Sequence, residues 1–320
     1  MELFNHIGDI FGSGGFFEAT LRISVVFLLG TLGELVCERA GVMNLGVEGI
    51  MVLGAMTGFT TVYLLGNLWL GVLVALLVGG LAGYVHGVFS VKLALNQHVT
   101  GIALTFLASG LAFFGYRLLT EHADVKTELP KIEPFDSVAI PLLSKIPGVG
   151  PVVFDQTPLA YLAFLLVPAI WYVLTRTPAG LALRTAGENP LCLESAGISS
   201  HRVRMCAVVV GSMLMGLAGA YLSTSYFNAF QPGIVSGRGW ICVALVIFAN
   251  WRAGRVLVGA LLFAGVEAVA VRIQALGIDA PSQLFLMLPY VLTVVALVAV
   301  ARRASYPAAL LVPFRRGERV

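Results

Sequence analysis

Three carboxylates stand in or beside strongly apolar runs: Glu34, Glu48 and Glu267. A carboxylate in hydrocarbon costs several kcal/mol, roughly 3 on insertion scales, so such a group faces a bundle interior, a partner or a water path. The chemistry open to it there is proton carriage, pairing with a cation, or hydrogen bonding to a polar ligand. Glu267 lies near the middle of its run, and Arg272 is too far round a helix to be its natural i+4 partner. It therefore reads either as a structural Glu hydrogen-bonded between helices or as a coupling group. Glu48 reads either as a helix-start charge that complements the dipole or as a residue of a translocation path.

Two polar breaks accompany these carboxylates. Asn44–Gly49 and Asn96–Gly101 (NQHVTG) place Asn44, Asn96 and Gln97 at interrupted helix ends. Non-helical backbone at membrane depth is tolerated only where it lines a cavity or is buried in protein, so both breaks are path candidates. A plain turn beside Lys92 is the other reading of Asn96 and Gln97. Phe227, Asn228 and Gln231, with Trp240 and Phe248, have the groups to stack on and hydrogen-bond a flat polar ligand. Aromatic residues at such places also form the interfacial belt.

Several chemistries lack their residues. There is no G-x-x-x-x-G-K-[ST], so no P-loop for ATP. HExxH and G-x-S-x-G are absent, and no nucleophile–base pair stands out. Neither an arginine ladder nor a TVGYG filter occurs. Cys37, Cys192, Cys206 and Cys242 form no CxxC or Cys/His cluster, so neither a metal site nor a disulfide framework is expected. No catalytic residue is assigned.

The elements that must position these groups are membrane spans. Of 320 residues, 58% are hydrophobic and 12% charged, with mean hydropathy +0.91. That is the composition of an all-α polytopic membrane protein. No polar segment is long enough for a separate soluble domain, so residues 1–320 read as one transmembrane domain. The net charge of +3 comes from arginines at span ends and is not a nucleic-acid signal. Met1–Gly15 reads as a surface tail without a cleavable leader.

Apolar runs predict spans at Phe17–Cys37, Met43–Leu65, Trp69–Val91, Val99–Leu119, Pro158–Thr175, Met205–Ser225, Arg255–Leu276 and Leu284–Val300. Trp240–Asn250 is only about half the ~20 residues a span needs, which suggests a broken or re-entrant helix. Gly71, Gly79, Gly80, Gly83 and Gly87 have the spacing for close helix contact in lipid. Arginine bias orients the chain: Thr177–Arg204 and the tail Ala301–Val320 inside, the acidic loop Glu121–Thr157 outside, the N-terminus outside. Glu38 and Arg39 then mark the inner end of the first span.

Thr177–Arg204 contains a short helix with its own signals. Asn189 is a candidate N-cap, Pro190 fits the first helical position, and Gly197 ends the helix. Ser199 or Ser200 can cap the helix that follows. Such a helix, held between two spans, suits being gripped by another protein; a connecting loop that happens to be helical is the simpler reading.

Four stretches carry a resemblance: ERAGVMNLGVEGIMVLGA (Glu38–Ala55), NQHVTGIALTF (Asn96–Phe106), RTAGENPLCLESAGISSHRVR (Arg184–Arg204) and GRGWICVALVIFANW (Gly237–Trp251). Together they resemble permease subunits of bacterial ABC importers of the branched-chain amino acid and ribose type, most of all the nucleoside branch. The motif RAG-x-x-NLG-x-EG is typical of that branch, and sugar permeases have Asp where Asn44 stands. The chain departs from the wider family at Asn250–Arg255, which lacks a Gly-Gly pair.

The resemblance implies a fold of the vitamin-B12-importer type with about eight to nine transmembrane helices. It implies a coupling helix at about 187–197 that meets an ABC ATPase subunit, with Gly187, Glu188, Asn189, Pro190, Ala196 and Gly197 at the contact. It implies ATP and Mg on that ATPase and none on this chain. It further implies a second, unlike permease subunit and an extracytoplasmic substrate-binding lipoprotein, in a bacterial inner membrane. The expected ligand is a nucleoside, with ribose or another simple sugar as alternative. An ion-coupled carrier using Glu267 is the rival of a different class.

Overall fold

In a computed structural model of the protein, residues 14–122, 131–148, 150–275, 284–285, 287–301 and 304–314 are described. Most of the expected tail Met1–Gly15 lies outside them, as do Arg302, Arg303, Arg315, Arg316 and Arg319. In chain order the helices are α1 Gly14–Arg39, α2 Val47–Leu65, α3 Leu68–Gly87, α4 Gln97–His122, α5 Gly150–Phe154 and α6 Pro158–Arg176. They continue with α7 Pro178–Glu188, α8 Pro190–Ser195, α9 Ser200–Tyr221, α10 Arg238–Phe248, α11 Ala253–Ala275 and α12 Leu288–Ala301. One turn of π-helix extends α3 through Val88–Lys92 and another extends α9 through Leu222–Tyr226.

Among the described residues, seven helices are long and apolar enough to cross a membrane: α1, α2, α3, α4, α6, α9 and α11. The chain is a multi-pass, predominantly α-helical membrane protein. Burial sorts the spans into layers. The apolar windows of α1 and α9 are 83% and 72% buried, against 22% for α4 and 28% for α6. Hence α1 and α9 form the centre, and α4 and α6 present Phe106, Phe114, Leu165 and Tyr172 outward.

Backbone contact explains the centre. A Cβ on Gly216 of α9 would sit 2.5 Å from the Ala75 carbonyl oxygen and 3.0 Å from the Gly79 Cα, both on α3. Only glycine permits that approach, and in lipid it is packing of this kind that drives association. Gly83 of the predicted glycine set faces Ser212 of α9 in the same way, and Gly71 meets Gly58 of α2.

One end of the bundle collects Arg39, Arg204 and Trp251: Arg39 Nε donates to the Trp251 carbonyl at 2.9 Å, and Arg204 Nη2 donates to the Ala186 carbonyl at 3.0 Å. At the opposite, loop end, the Ile132 N–H donates to the Asn228 carbonyl at 3.0 Å. There Val138–Ala139 pairs antiparallel with Asp155–Gln156 around the short α5. The segment from Asn228 to Trp251 therefore runs from one end to the other. It does so as non-helical chain followed by α10, which at 11 residues is only about 16 Å long. The expected broken helix is thus a half-helix in the arginine-end half.

The final span is shorter than the apolar run Leu284–Val300 suggests. Helix α12 begins at Leu288 and has 14 residues. Pro289 sits in its first turn, where a missing N–H costs nothing.

Candidate functional site

The link Gly41–Gly46 between α1 and α2 lies inside the bundle, and its polar groups are satisfied by side chains from four helices. Glu34 of α1 accepts the Asn44 N–H at 2.8 Å. Gln97 of α4 accepts the Met43 N–H at 2.8 Å, and His86 of α3 bonds the Met43 carbonyl at 3.1 Å. Thr105 of α4 donates to the Leu45 carbonyl at 2.9 Å. The Asn44 amide donates to Ser212 of α9 at 3.0 Å while its oxygen accepts the Gly46 N–H at 3.0 Å. Buried backbone outside a helix persists only where such partners satisfy it. Glu34 lies five residues, or about 7.5 Å of helix, in from Arg39, so the link before α2 folds back along α1 into the bundle.

Asn44 and Gln97 are both buried, whereas Asn96 is exposed and caps α4 by accepting the His98 and Val99 N–H groups at 3.0 and 3.3 Å. The two residues read together as one hinge thus do different work. Glu38, read as a mark of the span end, is also fully buried and accepts the Trp251 indole N–H at 2.6 Å.

A second polar cluster is built on α10. Glu48, in the first turn of α2, accepts the N–H of Gly237 at 2.7 Å and of Gly239 at 2.8 Å. Those donors are orphans of the α10 N-terminus, which has no side-chain cap of its own. The carboxylate satisfies them and meets the positive end of the helix dipole. The sequence G-R-G is shaped by this contact. Gly237 has φ +78°, and a Cβ on Gly239 would fall 2.7 Å from the Glu48 Oε2.

The residue between those glycines is the partner that Glu267 needs. Arg238 Nε donates to Glu267 Oε1 at 3.1 Å, and its Nη2 also pairs with that oxygen. Arg238 Nη1 donates to the Ile234 and Val235 carbonyls, both at 3.1 Å. The Tyr290 hydroxyl of α12 donates to the Ser236 carbonyl. Glu48, Arg238, Glu267 and Tyr290 so meet where a half-helix begins. Sequence reasoning found the two carboxylates but not Arg238 or Tyr290. The available signal was an arginine flanked by glycines ahead of an apolar run.

Phe227 and Asn228 follow the π-helical end of α9, ahead of the non-helical chain that leads to α10. Phe227 packs edge-on against Tyr226 with ring centroids 4.6 Å apart, and Asn228, at φ +55°, holds the loop-end chain through its carbonyl. Among the described residues, no group of His, Cys, Asp and Glu is arranged to hold a metal.

At the arginine end, Thr177–Arg204 holds two helices where one was expected. Thr177 caps α7, accepting the Gly180 N–H at 3.1 Å. Gly187 and Glu188 close α7, with Gly187 packed against the Arg39 carbonyl. Asn189 accepts the Cys192 N–H at 3.2 Å, Pro190 opens α8, and Gly197 takes φ +78° just beyond it, as their types require. The cap of α9 differs from expectation. Ser199 makes no side-chain cap bond, and Glu194 instead accepts the Ser200 N–H at 2.8 Å.

Residues 16–297 match the model of the branched-chain amino acid transport system permease component, and the chain belongs to that family. It is 37% identical to the putative glucose ABC transporter permease protein TsgC13 of Haloferax volcanii, covering 95% of this chain and 98% of that protein. It is 32% identical to the guanosine ABC transporter permease protein NupQ of Bacillus subtilis, over 94% and 96% of the two chains. The nucleoside ABC transporter permease protein NupC of Lactococcus lactis is 32% identical over 90% and 93%. Each of these organisms also has a second matching permease, TsgB13, NupP or NupB, at 26%, 25% and 23% identity, of which this chain covers 67%, 74% and 73%. No solved structure matches.

Proposed function

We propose that the chain is the shorter of two unlike permease subunits of an ATP-driven nucleoside importer, and that it adopts a vitamin-B12-importer-like fold in a bacterial inner membrane. The observation that carries the path assignment is the Glu48–Arg238–Glu267 cluster at the N-terminus of a half-helix. Broken helices with polar ends are how membrane transporters build binding sites within the bilayer. Unlike partners are supported by the relatives. In three organisms this chain is similar to one permease over nearly its whole length and less similar to a second, longer one.

In this reading the arginine end faces the cytoplasm and the N-terminus lies outside. Helices α7 and α8, with Gly187, Glu188, Asn189, Pro190, Ala196 and Gly197, dock the ATPase, which holds ATP and Mg. A substrate-binding lipoprotein delivers ligand at the loop end. The second permease covers the exposed face of α12, which carries Tyr290, Val294 and Val298. Glu48 and Glu267 line the path, with Phe227 and Asn228 at its mouth, while Asn44, Asn96 and Gln97 shape it by holding the α1–α2 link and the start of α4.

Ligand choice rests on the guanosine and nucleoside permeases among the relatives together with Asn44 in the motif. A sugar is the second reading, favoured by the 37% identity to a glucose permease. The test is uptake of tritiated guanosine, uridine and glucose into proteoliposomes holding this chain, its paired permease, the ATPase and the binding protein. ATP-dependent guanosine or uridine uptake supports the reading. Glucose uptake alone transfers it to sugars. Uptake by this chain alone on an ion gradient would make Glu267 a coupling group and end the importer reading.

A further inference from the structure

The chain returns to the arginine end after α12, and residues Ala304–Phe314 bind two parts of the bundle that do not otherwise adjoin in sequence. On one side the Ser305 N–H donates to Asn250 Oδ1 at 2.8 Å, and the Tyr306 ring packs on Trp251 with centroids 4.9 Å apart. Asn250 and Trp251 follow Ala249, the C-cap of α10. On the other side the Ala309 N–H donates to the Gly187 carbonyl at 2.8 Å and the Ala308 N–H to Glu188 Oε2 at 3.2 Å. Gly187 and Glu188 are the last turn of α7.

Arg204 locks this second attachment. It is buried at 3% exposure, and it donates to the Ala186 carbonyl at 3.0 Å, to Val312 at 3.1 Å and to Ala309 at 3.4 Å. Three carbonyls, one from α7 and two from the strap, share one guanidinium, and among the described residues it makes no ion pair. A buried charge must be fully hydrogen-bonded to be tolerated, so the strap, α7 and α9 hold one another in register. Phe314 closes the arrangement against the His201 ring of α9 at 5.5 Å.

Only Pro307 separates Tyr306 from Ala308. Extended chain spans at most about 3.6 Å per residue, and the proline ring fixes φ. The link between the two attachments thus has almost no slack. A shift of α7 by more than a few ångströms either breaks these contacts or moves the foot of α10. Helix α10 is a rigid rod whose other end is held by Glu48.

We propose that Ala304–Phe314 is a transmission strap that carries the movement of α7 and α8 to α10, and so to the Glu48–Arg238–Glu267 cluster, with Arg204 and Asn250 as positioning residues. This rests on the reading that α7 and α8 dock the ATPase.

The experiment compares the unaltered assembly in proteoliposomes with two variants. The first is Asn250→Ala with Ser305→Pro, which removes the acceptor and the donor at the α10 attachment. The second inserts Gly-Gly between Tyr306 and Pro307, which adds slack between the two attachments and keeps the turn that the Leu310 N–H closes on the Pro307 carbonyl at 3.0 Å. ATPase co-purification, ATP hydrolysis and tritiated guanosine uptake are read together. The expected result is co-purification and hydrolysis within about twofold of the unaltered assembly, with guanosine imported per ATP down about tenfold, inside the usual range of site-to-site coupling. Should the first variant not accumulate, the insertion decides alone. Unchanged import per ATP in the insertion variant overturns the strap. Loss of ATPase co-purification also overturns it, because the segment would then be a docking surface. If the unaltered assembly shows no ATP-driven uptake, the reading beneath the proposal falls, and the strap with it.

Discussion

The carboxylate of Glu48 accepts the Gly239 N–H at 2.8 Å across 191 residues of sequence. Two helix N-termini, of α2 and α10, thus meet inside the bundle, and one side chain serves both. The partly exposed Glu48 fixes where α10 starts.

Replacing Glu48 by alanine removes both acceptors. Hydrogen bonds to a charged group are worth about 1.5–3 kcal/mol each, so α10 loses its seat and uptake falls further than the amount of protein in the membrane. Gly239→Ala should have the same effect from the other side, because its Cβ occupies the carboxylate's place. Uptake normalised to immunoblot signal measures both. Equal losses of uptake and protein would assign Glu48 to folding alone.

Arg238 and Glu267 predict a different pattern. Their side chains are 14% and 12% exposed, so removing one member costs up to the roughly 3–5 kcal/mol of a fully buried pair, while replacing both by apolar residues is often neutral. Arg238→Met and Glu267→Leu should each lower the melting temperature in detergent, and the double variant should recover most of it. If transport returns with stability, the pair is structural. Lost transport in a stable double variant places the pair in the path.

Asn44→Asp tests why this motif carries the amide. Aspartate has no N–H to give Ser212, and it brings a second carboxylate toward Glu34, which accepts the Asn44 backbone N–H. An unsatisfied buried group costs about 1–3 kcal/mol, so the variant should melt earlier. Adding Glu34→Gln should restore part of the loss. Thermal unfolding followed by size-exclusion fluorescence gives the answer.

At the arginine end, Asn189→Ala removes the cap of α8 and should weaken that helix by about 1 kcal/mol. The proposed ATPase contact makes a specific expectation: reduced ATPase co-purification with normal membrane levels of this chain. Unaltered co-purification would detach α8 from docking.

The spans were legible from hydropathy because in lipid a helix must satisfy its own backbone, and its length then follows from bilayer thickness. The caps at Asn189, Pro190 and Gly197 were legible because they act over three or four residues. So was the abnormal length of the α10 run. Glu34, Glu48 and Glu267 stood out because charge in an apolar run is costly wherever it points.

The partners were not legible. Arg238 reaches Glu267 from 29 residues away and Glu48 reaches Gly239 from 191, and nothing local encodes either meeting. Nor could spacing separate buried Gln97 from exposed Asn96, since one helix start turns adjacent residues to different surroundings. The helical period and the cost of polar groups in lipid are properties of short segments, which a sequence displays directly. Which donor answers which buried carboxylate depends on how α2, α10 and α11 pack, and packing is settled only when the whole bundle closes.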